Sequence, residues 1–507
     1  MLTNKMINFF FHRKIHLFFS VPYFFAYYKN ENTYSRQVLC NTDVYVIMQT
    51  RGFGGVFMEI RLNKQKTYQA FEGIGASGAW WAQIVGGWDS KDENGEEIRN
   101  VISRLLYSKT DGIGMDIYRY NIGGGSVHSG NGEYSDFARR TESFDAGDGK
   151  YDFSRDENAV YMMKMAVCDG AKEVILFVNS PIERLTKNHW SHLKKNQIFR
   201  TNLSRRNYLP FSKYCLDVTE HFVKEGVPVK YLSPINEPFW IWNGGQEGCH
   251  YSPKQAGRVM LTFAKEMKKR KALKGIKLSG LENGDIRWFN KSYTRNLLKY
   301  PEVRDCIDAV DLHSYFLHQP LPFFNDRIKF LKRYRKWMDR HYPDIPVKMS
   351  EWTHMVGGKN PDMDSALETV RVMIEDFTLL NVTSWQHWIA CSHYDYHDGL
   401  IYLDIENKSY ETTKRLYVTG NFSKYIPLGA KRIEAECDDK DIMLIAFEKD
   451  NKTVLITANF SEKEKAFVIP YDGLVSVTDE GHNLTEKSVS ANEKIAITPQ
   501  SVTTFVF

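Results

Sequence analysis

The sequence predicts an α/β fold, a (β/α)8 TIM barrel with an associated antiparallel β-sandwich domain. Three observations carry that prediction. Eight strand-like apolar runs alternate with helical stretches between residues 71 and 389, the texture changes to short alternating segments after KYIPLGAK, and 507 residues suffice for a large barrel plus a second core. Alternation of strand and helix implies βα units and a parallel sheet, because parallel neighbours need a long crossover between them.

The eight runs are FEGIGAS (71–77), MDIYRYNI (115–122), EVILFVN (173–179), VKYLSPIN (229–236), IKLSGLE (276–282), AVDLHSY (309–315), PVKMSEW (346–352) and TSWQHWI (383–389). Helical stretches lie between them, such as FSKYCLDVTEHFVKEG before the fourth run and ALETVRVMIEDFTLL before the eighth. The barrel is expected over 71–427. A β-sandwich is expected over 428–507 from RIEAEC, IMLIAFE, TVLITANF, AFVIPYD and SVTTFVF, with residues 58–70 (MEIRLNKQKTY and its flank) adding a strand to it.

Residues 1–57 do not match the rest. Their apolar stretch resembles a signal peptide but is interrupted by HRK, no small-x-small cleavage site follows, and it is too broken for a membrane span. They read as a spurious or dispensable extension, or else as a signal. Translation from Met58 implies a cytoplasmic protein, and a genuine signal implies a secreted or anchored one. No stable membrane insertion is expected, and the oligomeric state is left open.

The formal charge of +5 contains six Lys or Arg against two Asp or Glu in the first 57 residues, leaving +1 for the remainder. No basic stripe stands out there, so no nucleic-acid partner is expected. Seven scattered cysteines without CxxC spacing read as reduced thiols.

Chemistry in a (β/α)8 barrel gathers at the carboxyl ends of the strands. Glu237, after the fourth run, and Glu351, in the seventh, stand at two such ends, 114 residues apart. A glycosidic bond cleaved with retention needs two carboxyl groups, one to protonate the leaving oxygen and one to attack the anomeric carbon.

The motifs YRYNIGGGS, SPINEP, QEGCHYSP, MSEW and FSKYIPLGAKRI, in this order, together resemble glycoside hydrolase family 30, a group of retaining clan A β-glycosidases, over residues 58–507. The resemblance implies a barrel with a side β-sandwich built from both chain ends. It implies Glu237 as general acid/base, Glu351 as nucleophile and Asn236 as the group that holds the sugar 2-hydroxyl. Arg119 and Tyr315 would hold the nucleophile ionised, with His313 on the same strand face as Tyr315. Trp80, Trp81, Trp240, Trp242, Trp352 and Trp388 lie at strand ends where indoles can stack on pyranose rings, with Trp388 and Trp81 expected first.

The chain departs from the family pattern in two places. NSPIERLTKNHW (179–190) replaces the usual NSPP and Trp-Met pair of a loop that shapes the donor side, and Phe239 stands where Gln often follows NEP.

Two motifs are decoys. GIGASG (73–78) is followed by AWWAQ, whose two indoles would crowd a pyrophosphate turn, so tight-turn glycines at a barrel rim explain it. WQHWIACSHYDYHDG (385–399) gathers His387, Cys391, His393, Asp395, His397 and Asp398, which an eighth barrel loop accommodates without a metal. No metal and no cofactor are expected.

The expected activity is double-displacement cleavage of β-glycosidic bonds in an oligosaccharide or polysaccharide, with endo-β-1,6-galactanase as the first choice. The alternatives are β-1,6-glucan, xylan, glucosylceramide or short β-galactosides or β-fucosides as substrate, or a carbohydrate-binding protein that has lost turnover.

Overall fold

The computed structural model describes residues 58–507 except 129–133, 135, 148, 288 and 316–325, together with the backbone of three strands, Tyr23–Asn30, Thr33–Cys40 and Val44–Thr50. The chain divides into two compact units, one spanning Phe71–Leu428 and one combining the residues up to Ala70 with Gly429–Phe507.

The first unit is a (β/α)8 barrel. Its strands are β1 (Gly73–Ser77), β2 (Ile117–Asn121), β3 (Glu173–Phe177), β4 (Val229–Ser233), β5 (Lys277–Leu278), β6 (Val310–His313), β7 (Val347–Trp352) and β8 (Val382–Ile389). They pair in parallel around the ring in the order β5-β4-β3-β2-β1-β8-β7-β6. Asn283 bridges Leu312, and the His313 amide donates to the Asn283 carbonyl at 3.0 Å, so the ring closes between β5 and β6. Parallel strands with both faces covered are near-continuously apolar, and β1, β2, β7 and β8 are buried at every position. Ile117, Ile175 and Tyr231 form a layer inside the barrel.

All eight expected runs form barrel strands, but the fifth is shorter than IKLSGLE predicts. The amide of Gly280 donates to the Asp311 carboxylate at 2.6 Å instead of to a backbone carbonyl, which interrupts the ladder. Pairing resumes at Glu282, bridged to Asn236.

Behind β4 the segment QEGCHYSP acts as a brace. Glu247 is 2% exposed and accepts from the amides of Gly124 (2.8 Å) and Ser126 (3.2 Å), tying the loop after β4 to that after β2. Gly248 lies under the Trp242 ring, where an added Cβ would stand 2.1 Å from a ring atom. Ser252 then opens the helix Pro253–Met267 with a capping box to Gln255 and proline in the first turn.

That helix and the turn after it correct the expectation of no basic stripe: seven of residues 265–277 are Lys or Arg, which the balance over the whole chain conceals. Lys265, Lys268, Lys269 and Arg270 pair with Glu302, Asp305, Glu266 and Asp217. Much of the local charge is therefore offset by neighbouring carboxylates.

The second unit is antiparallel. Glu59–Ala70 pairs with Lys431–Cys437, and the sheet continues through Ile442–Lys449, Lys452–Asn459, Ser501–Val506, Gly473–Thr478 and Thr485–Val489. The backbone strand Val44–Thr50 lies on the other side of Glu59–Ala70. Lys465–Val468 and Lys494–Ile497 form a separate pair. Ile60, Leu62, Ile433, Leu455, Phe467 and Phe505 belong to one core. Along Glu59–Leu62, Ile60 and Leu62 are buried while Arg61 is exposed, the period of two that a half-buried strand requires.

The expectations for residues 1–57 fall, apart from the three backbone strands, outside the described residues. Among the described residues no helix is long and apolar enough to cross a membrane.

Candidate active site

The carboxyl ends of six barrel strands deliver charged or polar side chains to one place. Arg119 comes from β2, Asn236 and Glu237 from the end of β4, Glu282 from beyond β5, His313 from β6 with Tyr315 just after it, and Glu351 from β7; Asn179 follows β3. The β6–β7 register sets His313 directly beside Glu351.

Glu237 and Glu351 converge. One carboxylate oxygen of each, together with a ring nitrogen of His313, lie within 4.8 Å of one another. Such proximity matches the roughly 5 Å carboxyl spacing of retaining glycosidases and falls short of the ~6.5–9.5 Å of inverting ones.

Glu351 is surrounded by donors. Arg119 Nη1 donates to its Oε2 at 2.6 Å and the Tyr315 hydroxyl donates to its Oε1 at 3.2 Å. The His313 Nδ1 lies 3.5 Å from the same Oε1. Burial pushes the Glu351 carboxyl above its ordinary value, against the pull of His313 and Arg119.

Arg119 is fully buried, and its second terminal nitrogen pairs with Glu282 while also donating to Asn236 Oδ1 at 3.2 Å. Its guanidinium stacks 3.6 Å from the Phe177 ring centroid, a cation–π contact that adds to the ion pairs holding it against Glu351. Asn236 in turn donates to Asn179 Oδ1 at 3.0 Å, so its amide is held from two sides.

His313 is buried and faces three carboxylates: Glu237 at 3.1 Å, Glu282 at 3.4 Å and Glu351. Burial lowers its pKa, but the charge of Glu351 and the contacts to Glu237 and Glu282 outweigh that and raise it to about 10. The imidazolium and Arg119 hold Glu282 below its ordinary carboxyl value despite complete burial.

Glu237 sits at φ +40°, a left-handed conformation costing a non-glycine residue on the order of 1 kcal/mol. Its backbone is held in that turn from both directions: its amide donates to the Glu282 carbonyl at 2.7 Å, and its carbonyl accepts from Trp240 N (3.1 Å) and Trp242 Nε1 (3.0 Å). Gly284 gives its side chain room, because a Cβ there would stand 2.3 Å from Glu237 Oε1.

The carboxylates open into a cleft of about 220 Å³ lined by Trp80, Asn179, Asn236, Glu237, Trp240, Trp242, Tyr315, Glu351, Met355 and Trp388, among others. Trp80 and Trp388 meet edge to face with centroids 5.1 Å apart. Trp240 is 51% exposed.

The placement of Trp81 corrects the sequence-based expectation. It is 1% exposed, and its indole nitrogen donates to the Ser77 carbonyl at 2.8 Å, so it belongs to the core and Trp80 takes its place in the cleft. Trp352 is likewise core, 2% exposed. Glu282 is the residue that sequence reasoning missed as part of the site. Its signal was present, since it is a carboxylate ending a barrel run just as Glu237 and Glu351 do.

The two decoys fall elsewhere. In GIGASG, residues 73–77 are the β1 strand itself, which corrects the expectation of tight-turn glycines at the barrel rim and leaves no turn there that opens a phosphate-binding helix. His387 Nε2 donates to the Asp398 carbonyl (2.7 Å), and burial lowers its pKa to about 3. Among the described residues, the side chains that come together at ligand distance are Glu237, His313 and Glu351. A cation there would have to displace the charge of Arg119 and a protonated imidazole that offers no lone pair.

Residues 57–402 match the model of O-glycosyl hydrolase family 30. The chain belongs to glycosyl hydrolase family 30. This family 30 chain is an O-glycosyl hydrolase, and its similarity to known proteins extends over most of its length. It is 23% identical over 429 residues to an endo-β-1,6-galactanase of Hypocrea rufa, covering 80% of this chain and 82% of that one. A conserved exported protein from Bacteroides fragilis has a similar structure, with a TM-score of 0.77, 23% identity, and coverage of 88% of this chain and 99% of the other. The catalytic domain of a family 30 xylanase C from Talaromyces cellulolyticus superimposes with a TM-score of 0.65 at 16% identity, covering 88% and 98%.

Proposed function

We propose that this family 30 enzyme hydrolyses β-glycosides with retention, Glu351 acting as nucleophile and Glu237 as general acid/base. The observation that carries the reading is the approach of the two carboxylates to within 4.8 Å, with Glu351 hydrogen-bonded by Arg119 and Tyr315.

Exposure supports the division of roles. Glu237, Glu282 and Glu351 face two cations, Arg119 and His313. The Glu237 side chain is 14% exposed, against 5% for Glu351 and none for Glu282, which makes it the carboxyl best placed to meet a leaving oxygen.

In the first step a Glu351 oxygen bonds to the anomeric carbon while the glycosidic C–O bond breaks and the leaving oxygen takes the Glu237 proton. In the second step Glu237, now a carboxylate, removes a proton from water, whose oxygen displaces Glu351 and restores the same anomeric configuration. Asn236, held by Arg119 and Asn179, is the donor for the sugar 2-hydroxyl. Trp80 and Trp388 form the wall for the sugar at the cleavage point.

The proposed substrate is β-1,6-linked galactan attacked internally. Its support is the motif resemblance and the similar endo-β-1,6-galactanase. The test is incubation of purified protein with β-1,6-galactan, β-1,6-glucan and xylan, following the first-formed anomer by NMR. Release of β-anomeric galacto-oligosaccharides is expected. First formation of the α-anomer would sink the two-step mechanism, and product from the other polymers alone would sink the substrate.

A further inference from the structure

Beyond the site just described, three phenylalanines from three separate loops meet on the surface. Phe239 follows Glu237 by two residues; its ring lies 5.0 Å from that of Phe289 and 6.4 Å from that of Phe199, at tilts of 35° and 37°. Phe199 and Phe289 are each 56% exposed. Both sit at left-handed φ, +51° and +58°, a conformation that bulky residues adopt only where surrounding structure enforces it. The His250 ring meets Phe199 edge to face at 5.8 Å, and its Nδ1 lies 3.1 Å from the Trp240 carbonyl and 3.3 Å from the Phe239 carbonyl. Exposed apolar rings grouped this way mark a binding surface rather than a packing remainder.

Its position identifies the occupant. One side of the cleft is the Trp80–Trp388 wall from the ends of β1 and β8; Glu237 and Trp240 stand on the loop after β4. The leaving oxygen must face Glu237, so whatever follows that oxygen runs past the turn that carries Glu237, Phe239 and Trp240.

We infer that Phe199, Phe239 and Phe289 form a platform for the sugar rings on the leaving-group side of the bond cleaved, taking the apolar CH faces of successive pyranoses as the chain leaves Glu237. Aromatic rings bind such faces while the hydroxyls remain in water. The platform rests on the glycosidase reading above, and extends it from where the bond breaks to how much of the departing chain is held.

The test compares wild type with Phe289→Ala, Phe199→Ala and Phe239→Gln on 4-nitrophenyl β-galactoside, octyl β-galactoside and the β-1,6-galacto-oligosaccharide series from dimer to tetramer. The ratio of kcat/KM for tetramer to that for the nitrophenyl glycoside is expected to fall about tenfold in each variant, with Tm unchanged in Phe289→Ala and Phe199→Ala because those rings are exposed. A ratio unchanged within twofold overturns the platform, as does loss confined to the octyl glycoside, which would make the strip a site for an apolar aglycone. Wild type that turns over none of these substrates defeats the galactan reading instead. Calorimetric titration with the tetramer then decides the platform separately: weaker binding in Phe289→Ala supports it, and equal or undetectable binding in both proteins overturns it.

Discussion

Arg119 holds Glu351 with one terminal nitrogen, at 2.6 Å, and pairs with Glu282 through the other. The guanidinium is thus fixed by a carboxylate that the proposed mechanism does not use in bond making. Glu282 also touches His313, so its charge is felt on both cations of the cluster.

Glu282→Gln should therefore lower kcat on the order of 10²-fold while changing KM little, because the loss concerns alignment of Glu351 and not sugar contacts. It also removes one of the charges that raise the His313 pKa. The alkaline limb of kcat/KM should move to lower pH, by roughly one unit. An unchanged pH profile would reduce Glu282 to a packing role.

Glu351 and Glu237 should respond differently to truncation. Glu351→Ala should lose at least about 10⁴-fold on every substrate, because both steps pass through its oxygen. Glu237→Ala should lose about 10²–10⁴-fold on sugars with poor leaving groups, yet retain formation of the intermediate with 2,4-dinitrophenyl glycosides, whose leaving oxygen needs no proton. Equal residual activity of the two variants on the dinitrophenyl substrate contradicts the assignment.

Stability should depend on pH through His313. Its folded pKa of about 10 lies above the ordinary 6.5, so the folded state binds the extra proton in between. The corresponding stabilisation is complete below pH 6.5 and is lost as pH rises towards 10. Thermal unfolding followed from pH 6 to 10 should show Tm falling over this window, and His313→Gln should flatten the fall. A parallel decline in both proteins would assign the effect to other groups.

Gly284→Ala should act on catalysis with little effect on the fold. The new methyl group would meet Glu237 Oε1, and the side chain would yield before the backbone does. The expected result is a drop of about 10²-fold with oligosaccharides and a much smaller one with dinitrophenyl glycosides, at nearly wild-type Tm. A variant as active as wild type on both would remove Gly284 from the account.

The paired indoles Trp80 and Trp81 should separate binding from stability. Trp80→Ala should raise KM about tenfold, by removing a wall of the cleft. Trp81→Ala should cost about 3–5 kcal/mol of stability, since it empties a buried site and removes the shorter of the two hydrogen bonds to the Ser77 carbonyl. Denaturant melts and initial rates on the same preparations distinguish the two.

Much of this was legible in the chain before any coordinates. The eight barrel strands were readable because parallel strands buried on both faces leave uninterrupted apolar runs, and Glu237 and Glu351 because each stands at the carboxyl end of such a run. The break in β5 was not, since it depends on the Asp311 carboxylate reaching across from β6. Nor could the sequence tell which of two adjacent indoles faces the cleft: Trp80 turns at φ +68°, a backbone choice that no residue pattern announces. The strand Thr485–Val489 does not stand out from a turn because TEKSV carries one apolar residue, and Lys494–Ile497 because KIAI is only four residues long.

The antiparallel ladder between Glu59–Ala70 and Lys431–Cys437 joins segments that leave the ribosome more than three hundred residues apart. During synthesis Ile60 and Leu62 have no Ile433 to cover them until nearly the whole polypeptide has been made. A chain cut short after Leu428 would keep every residue of the barrel and still carry that uncovered strand, so its solubility, not its chemistry, is the first property that such a truncation should forfeit.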